Sequence, residues 1–400
     1  MIPYKKLILL ICSLPLIAGC WDSIELEERG FVTGIAIDLA NKENEVPSDE
    51  HKEEQSENKK FQLTQQLINP SNLGLEQGKN SNSMTSSFRN LSQTGDTIIE
   101  MNRDMIKQAG RRTNVTHLNV VLFSEDVAKE EHLFADLMDI FLREKEMLRS
   151  VKIAITKGQS GNYLNILPEN EKIPSKYISK ILENQSNLEI AQPLTVGDVQ
   201  TSLLSKQSFI IPLIDQVNET TVNYEGLSVY SGQKHKIVGT LTGNEAKGMN
   251  LIHTKDQTGT INLQIDNHDV TFEILEVESK ISLKRKSKNP LQFQISINVE
   301  SGIAEQYGSL DIMTEKNYKK LQKALEKEIK RYASDTVSIL QHDLQTDVIG
   351  FNNYLSERHY KLWQSIKDDW EDGEHYFQKS EVQITVNATI EKPGNIIKSH

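Results

Sequence analysis

Cysteine is confined to the N-terminal end of this chain, and that limits how the rest of the chain can be held together. The two cysteines are Cys12 and Cys20, in a sequence of 400 residues. After Cys20 we therefore expect no structural disulfide, no thiolate metal site and no cysteine nucleophile. The fold must rest on apolar cores. At roughly 100–200 residues per domain, the length predicts two or three domains.

A short apolar segment precedes the second cysteine. Lys5 and Lys6 are followed by a predominantly apolar run over residues 7–17. A helix of these eleven residues would span about 16 Å, well short of the ~30 Å hydrocarbon core of a bilayer. A positive start followed by a short apolar run is typical of a secretory signal peptide. No other run approaches about 18 apolar residues, so no second membrane span is predicted.

The residues at the end of this segment predict covalent chemistry. Ile17-Ala18-Gly19-Cys20 resembles a bacterial lipobox, in which the cysteine thiol is alkylated by diacylglycerol and the signal is cut before the cysteine. We therefore predict a lipoprotein signal peptide over residues 1–19 and lipidation at Cys20. Two or three acyl chains give stable anchoring, at about 0.8 kcal/mol per buried methylene. The alternative is an ordinary signal peptide with an incidental cysteine.

The charge balance argues against some partners. The chain carries 45 basic and 56 acidic residues, a net charge of −11. Nucleic-acid binding requires a basic face, so we expect no nucleic-acid partner. An acidic chain also has no general attraction to anionic lipid, so membrane contact needs a specific device such as the lipid on Cys20.

The first part of the chain alternates between strand and helix patterns. Residues 31–40 and 61–68 read as strands, and the charged segment 41–60 between them is predicted to be a disordered insert. Asp96 is the predicted cap of a helix that runs from Thr97 to Ala109, with Gly110 ending it. Ser124 is the predicted cap of a second helix, which is flanked by strands. This order predicts an N-terminal α+β domain over residues 20–172, with helices packed on a mixed sheet.

The middle segment, residues 173–258, predicts a second α+β domain. Thr195 is the expected N-cap of a helix. The strand "FIIPLI" contains Pro212, which favours a place at a sheet edge. A hairpin with its turn at residues 231–234 follows, and then a helix that begins at Asn244.

The last part of the chain, residues 259–400, is β-rich and then helical. Three segments from Thr260 onward alternate apolar and polar residues and are predicted to be strands. In the second of them the apolar parity changes at Ile274–Leu275, which indicates a bulge. Thr314 is predicted to open a long amphipathic helix, and Ser356 to cap a second one. A closing strand over residues 382–390 completes a third domain. The overall prediction is an α+β protein of three domains, each a mixed or antiparallel sheet packed with helices.

Catalytic patterns are scarce. The sequence has no phosphate-binding loop, no GxGxxG, no HExxH and no EF-hand. "GQSGN" around Ser160 is one residue short of a nucleophile elbow, and a turn before a helix is the preferred interpretation. His117, between apolar neighbours in a predicted strand, is read as a structural histidine rather than a metal ligand. We expect neither an enzyme nor a cofactor.

Two charged clusters have both an ordinary and a functional interpretation. The acidic run "DDWEDGE", residues 368–374, is read as a solvated helix end, since its spacing matches no loop that folds around a hard cation. The basic run of residues 284–288 is read as a hairpin tip. The functional alternative for the basic run is contact with lipid head groups or with an acidic partner.

Several segments, taken in order, resemble one family. It is the Ger(x)C family, the lipoprotein C subunits of bacterial spore germinant receptors. The segments that carry the resemblance are "CWDSIELEERGFVTGIAID", "RRTNVTHLNVVLFSEDVAKE", "LREKEMLRSVKIAITKG", "YEGLSVYSGQKHKIVGTLTGNEAKGMNLI" and "VQITVNATIEKPGNIIK". The chain departs from the family pattern in the insert 41–60 and in the "KPGN" of the tail.

The resemblance implies a function and a place. It implies a lipid-anchored, non-enzymatic subunit on the outer, extracytoplasmic face of the spore inner membrane, attached through acyl chains on Cys20. It also implies assembly with integral-membrane A and B subunits into a receptor for nutrient germinants. Only Cys20 is carried over as a site. The alternative from another class is an extracytoplasmic ligand-binding lipoprotein of a transport system, and a lipid-anchored hydrolase is disfavoured for want of a catalytic constellation.

Overall fold

The computed structural model describes residues 29–40, 60–69, 87–253, 258–286, 290–307 and 314–391. The strands of the first sheet are β1 Arg29–Leu39, β2 Phe61–Ile68, β3 Phe88–Gly95, β4 Arg112–Asn114, β5 Val120–Ser124, β6 Lys152–Thr156, β7 Phe209–Gln216, β8 Val222–Ser231 and β9 Lys236–Thr242. Those of the second sheet are β10 Gly259–Ile265, β11 His268–Arg285, β12 Gln292–Tyr307 and β13 Glu381–Ile390.

The described helices pack on these two sheets. They are α1 Ile98–Ala109, α2 Glu125–Lys129, α3 Leu133–Arg143, α4 Ser160–Tyr163, α5 Pro174–Glu183, α6 Val196–Leu204, α7 Asn244–His253, α8 Glu315–Ser338, α9 Phe351–Arg358, α10 Tyr360–Gln364 and α11 Tyr376–Lys379. A π-helical turn, Ile339–Asp343, continues α8, and a 3-10 turn covers Lys367–Asp369. The predicted insert 41–60 lies outside the described residues, apart from its last residue.

The first sheet is mixed, with strand order β3-β2-β1-β5-β6-β7-β8-β9 and β4 paired beside β1. Strands β1, β5, β6 and β7 run parallel to their neighbours in the centre, while both ends of the sheet are antiparallel. Every residue of β5 is buried, as expected for a parallel strand covered on both faces. Val121 and Phe123 enter the core on one face, and Val120 and Leu122 enter the core on the other.

The α+β class is confirmed, and the strands expected for the first two domains share this sheet. Strands β7, β8 and β9 form an antiparallel unit that joins β6 through two residue pairs, Ile155 with Leu213 and Thr156 with Ile214. The edge position expected from Pro212 is wrong, because β7 lies between β6 and β8. Pro212 has no N–H to donate, and the pairing with β6 begins only at the following residue. The boundaries at residues 172/173 and 258/259 stay predictions.

The second sheet has the order β10-β11-β12-β13. Its first three strands are antiparallel, and β13 runs parallel to β12 after the chain has crossed over through α8. The predicted bulge is confirmed by a register shift between Ile274 and Glu276. The core of this sheet also includes Leu227 of β8 and Leu241 of β9, so the two sheets are not packed independently. Thr336 of α8 donates its hydroxyl to the carbonyl of Glu245, 2.9 Å away.

The helix caps show what local sequence predicts well. Thr195 and Asp198 form a capping box, Thr314 caps α8, and Gly110 ends α1 with φ of 64°. Thr97, not Asp96, is the cap of α1. The cap predicted at Ser356 is wrong, because Ser356 lies inside α9.

Ser124 stands at the N-cap position of α2, although its side chain makes no capping hydrogen bond there. The single helix predicted after it is divided in two. Helix α2 ends at Lys129, and α3 begins only after His132, which has a φ of 64°. A left-handed residue cannot continue a right-handed helix, and this accounts for the division.

Candidate functional site

The predicted lipidation site, Cys20, lies outside the described residues. The description begins at Arg29, nine residues later along the chain. Nine residues extend over at most about 32 Å, which bounds the distance between Cys20 and the first residue of β1. Among the described residues, no helix is both long enough and apolar enough to cross a bilayer.

Ser160 belongs to a buried clasp at the end of β1. Its hydroxyl donates to Asp38 Oδ1 at 2.7 Å, and its backbone N–H donates to the same oxygen at 2.6 Å. The N–H of Gly161 donates to Asp38 Oδ2 at 2.9 Å. Burial, the main cause, raises the pKa of Asp38 above its ordinary value despite these donors. Ser160 is fully buried and its hydroxyl is held by a carboxylate, so this serine fixes the turn before α4 and is closed to substrate.

His117 lies in a turn after β4, not in the strand that its apolar neighbours suggested. Its ring stands edge-on to Phe31 with centroids 4.9 Å apart, and Nδ1 is 3.1 Å from the Thr116 hydroxyl. These contacts support the structural interpretation. Within the described parts of the chain, no group of three or more His, Cys, Asp or Glu side chains is arranged to hold a metal ion.

Within the acidic run of residues 368–374, the Glu371 carboxylate is turned toward the protein interior, beside the buried Trp370. Glu371 Oε1 accepts a hydrogen bond from the backbone N–H of Asp347 at 2.8 Å and from the Ser208 hydroxyl at 2.9 Å. Ser208 Oγ in turn accepts the N–H of Gly232 at 3.0 Å. Since Ser208 and Gly232 border the first sheet, Glu371 ties the C-terminal region to it. The expectation of a wholly solvated helix end is therefore wrong at this residue.

Asp347 forms the other half of this centre and is almost wholly buried. Its carboxylate accepts hydrogen bonds from the backbone N–H groups of Gly350, Phe351 and Asn352 at 2.8–3.3 Å. It also accepts Trp370 Nε1–H at 2.9 Å. Asp347 thus caps α9 from three residues before its N-cap glycine. Sequence reasoning missed it, although an aspartate three positions before Gly350 is the available signal.

The pKa values of Asp347 and Glu371 are both raised. Burial is the main cause, and the neighbouring negative charge of Asp347 adds to it, so that the pKa of Glu371 rises to about 7. Burial also raises the pKa of Asp347, against the effect of its four donors. This centre has the composition of an acid pair, but every oxygen contact described serves to hold backbone or neighbouring side chains in place. We therefore assign it a structural task.

The basic run lies where the hairpin interpretation placed it. Lys284 and Arg285 end β11, and Arg285 pairs with Gln292 at the start of β12. Lys284, Arg285 and Lys286 are exposed, and the last two residues of the run, 287 and 288, lie outside the described residues.

Two known family domains match this chain, one after the other along the sequence. Residues 22–216 match the family domain described as "Spore germination protein N-terminal domain". Residues 225–394 match the domain described as "Spore germination B3/GerAC like, C-terminal". Together these two matches cover most of the chain, including both sheets.

Similar proteins bear related names. The chain is 28% identical to the spore germination protein YndF of Bacillus subtilis, over 97% of this chain and 95% of that protein. It is 25% identical to the spore germination protein A3 of the same organism, over 98% of each. Among solved structures, the crystal structure of the GerBC protein superposes with a TM-score of 0.59 at 18% identity, covering 84% of this chain and 95% of that chain. This last likeness shows the fold.

Proposed function

Because the chain belongs to the spore germination family of GerAC-like proteins, we propose that it is the lipid-anchored C subunit of a nutrient germinant receptor. The observation that carries the proposal is the agreement of both family domains with nearly the whole chain in order. Spore germination proteins A3 and B3 of Bacillus subtilis, matched over 98% and 96% of this chain, support it.

The proposed anchor is Cys20, and the proposed location is the outer face of the spore inner membrane. The lipobox at residues 17–20 and the short apolar segment before it support this placement. A net charge of −11 gives the chain no general affinity for anionic lipid, so the acyl chains would supply the attachment.

The proposed partners are the integral-membrane A and B subunits of the receptor, which this subunit would contact through its protein surface. We propose no catalytic step. Two buried carboxylate centres among the described residues support that view, because the oxygens of Asp38 and Asp347 accept hydrogen bonds from backbone N–H groups. A buried carboxylate with its acceptor sites occupied is poorly placed to act on a substrate.

The test of the anchor compares the replacement of Cys20 with the replacement of Cys12. Cys20→Ser keeps the size and polarity of the residue but removes the thiol that would be alkylated, whereas Cys12→Ser changes only the apolar segment. We expect the Cys20→Ser chain to leave the membrane fraction after a salt wash and the Cys12→Ser chain to remain. Retention of both would show that the attachment lies elsewhere.

The test of the function is genetic. Deletion of the gene in the spore former that carries it should abolish germination on one nutrient while germination on others persists. The unaltered gene should restore the response, and the Cys20→Ser variant should restore it poorly. Germination unchanged on every single nutrient, with loss of uptake of a solute instead, would favour the transport lipoprotein.

A further inference from the structure

A polar groove opens beside the basic hairpin tip, at the end of the second sheet. Its volume is about 370 Å³, within the range of small-ligand sites. One wall is α8 and the other is the start of β13, with the end of β11 at the rim. The lining residues are Lys284, Gln292, Phe293, Lys330, Ser334, Glu381, Val382, Gln383 and Ile384.

The donors of this groove are those that an oxyanion requires. Lys284 and Lys330 supply two ammonium groups, and neither makes an ion pair with another described residue. Ser334, one helical turn after Lys330, supplies a hydroxyl, and Gln383 supplies an amide. Lysine binds phosphate as a point charge, while hydroxyl and amide groups add directed hydrogen bonds.

One acidic side chain also lines the groove. Glu381 Oε2 accepts the amide of Gln292 at 2.6 Å. Two lysines against one glutamate leave a positive balance. The exposed Arg285 and Lys286, adjacent to Lys284 in sequence, add to it. Burial first, and then the charge of Lys286, lowers the pKa of His359. This excess stands out in a chain whose net charge is −11.

We propose that this groove binds a phosphate group, held between the ammonium groups of Lys284 and Lys330. The phosphate belongs either to a small phosphorylated molecule or to a lipid headgroup. The two sources share the same recognition chemistry, and the groove is remote in sequence from the anchor at Cys20. The inference therefore does not depend on the proposed lipidation or on the receptor assignment.

The first experiment measures binding of inorganic phosphate to the purified full chain by titration calorimetry at constant ionic strength. A charged hydrogen bond at a partly exposed site is worth about 1.5 kcal/mol, so each lysine should contribute roughly tenfold in affinity. The double variant Lys284→Gln with Lys330→Gln should therefore lose binding by roughly a hundredfold. Both lysines are exposed, and thermal melting of the variant checks that it folds.

The matched control removes the same amount of charge elsewhere on α8. Lys316→Gln with Lys323→Gln changes two lysines that do not line the groove. We expect its affinity for phosphate to change by less than about twofold, since exposed charges at a distance are screened. Glu381→Gln should strengthen binding severalfold, because it removes the repelling carboxylate and keeps an amide oxygen that accepts from Gln292. Equal losses in the groove and control variants, or no binding by the unaltered chain, would overturn the proposal.

A second experiment separates the two sources. Lysine acylation, followed by mass spectrometry, is compared in inorganic phosphate, in micelles that contain phosphatidylglycerol and in neutral detergent alone. Protection of Lys284 and Lys330 by inorganic phosphate alone supports a small phosphorylated ligand. Protection by the phosphatidylglycerol micelles, with Lys316 and Lys323 unprotected, supports a lipid headgroup. Equal protection of all four lysines, or of none, contradicts a site in the groove.

Discussion

Among the described residues, carboxylates are buried in two regions, and the two regions differ in how the carboxylates are held. In the first sheet, Asp38 stands alone and holds the start of α4 through Ser160 and Gly161. Between the two sheets, Asp347 and Glu371 lie together, and the second accepts the backbone N–H of the first. Asp38, a single buried acid surrounded by donors, holds α4 against the first sheet. Asp347 and Glu371 connect the two sheets, and their ionisation is disfavoured because the two negative charges repel each other.

The largest effect is expected at Asp347, because one side chain there satisfies four donors. Asp347→Ala would leave three buried backbone N–H groups and the Trp370 indole N–H without their acceptor. At about 1–3 kcal/mol for each lost partner, and with incomplete additivity, the free energy of unfolding should fall by about 4 kcal/mol. Urea denaturation measures it. Asp343→Ala, an exposed neighbour, should change stability by less than about 0.5 kcal/mol.

The next effect is expected at Asp38, which holds only the first turn of α4. Asp38→Ala would free the Ser160 and Gly161 N–H groups, and we expect a loss of about 3 kcal/mol in the same assay. Asp96→Ala is the matched control. Asp96 is exposed, and Thr97 rather than Asp96 caps α1, so its replacement should cost less than about 0.5 kcal/mol. A smaller loss at Asp38 than at Asp96 would show that the clasp does not stabilise this sheet.

These two regions also show how far sequence alone can predict the molecule. The C-terminal end of α1 at Gly110, the start of α8 at Thr314 and the bulge in β11 each follow from residues close together in sequence, and they were predictable. The partners of Asp38 lie more than a hundred residues away along the chain, and no local pattern reports such a contact. The interior position of Pro212 likewise depends on a pairing of only two residues between distant strands.

Within the candidate sites, the same division applies. The prediction at Cys20 rests on a contiguous motif, the lipobox, and it stays a prediction because residues 17–20 lie outside the described residues. Glu371 lies in an acidic run that also contains the exposed Asp368, Asp372 and Glu374. Its inward direction depends on Ser208 and Asp347. The sequence predicts a helix that starts after Ser356, because serine is a common N-cap. In the structure Ser356 lies inside α9, and Asp347 accepts hydrogen bonds from the N–H groups at the start of that helix.

The acid pair should make stability depend on pH, and Glu371→Gln should reduce that dependence. The pKa of Glu371 is raised from 4.5 to about 7 on folding, so the folded chain binds the proton more tightly than the unfolded chain. The free energy of unfolding should therefore be highest below about pH 4.5 and fall as the pH rises to about 7. With allowance for partial solvent access, the decrease is about 2 kcal/mol.

Glutamine cannot ionise, and its amide oxygen can still accept from Ser208 and Asp347. Glu371→Gln should therefore flatten this part of the profile, which urea denaturation at a series of pH values measures. Asp372→Asn, in the exposed part of the same acidic run, should leave the slope unchanged. If the free energy of unfolding of Glu371→Gln still falls with pH, another group titrates, and the neighbouring Asp347 is the first candidate.

The smallest effect is expected at Ser208. The shift of the pH midpoint of stability in a Ser208 variant tells whether the hydroxyl interacts with the Glu371 carboxylate or only fills space between the sheets. The Ser208 hydroxyl donates to Glu371 and accepts the N–H of Gly232, so Ser208→Ala should cost about 1 kcal/mol near neutral pH. Ser205→Ala, an exposed position nearby, is the control. Because the hydroxyl stabilises the charged carboxylate and lowers the pKa of Glu371, its loss should move the pH midpoint of the stability change upward. A loss of stability without that movement would mean that Ser208 only fills space between the sheets.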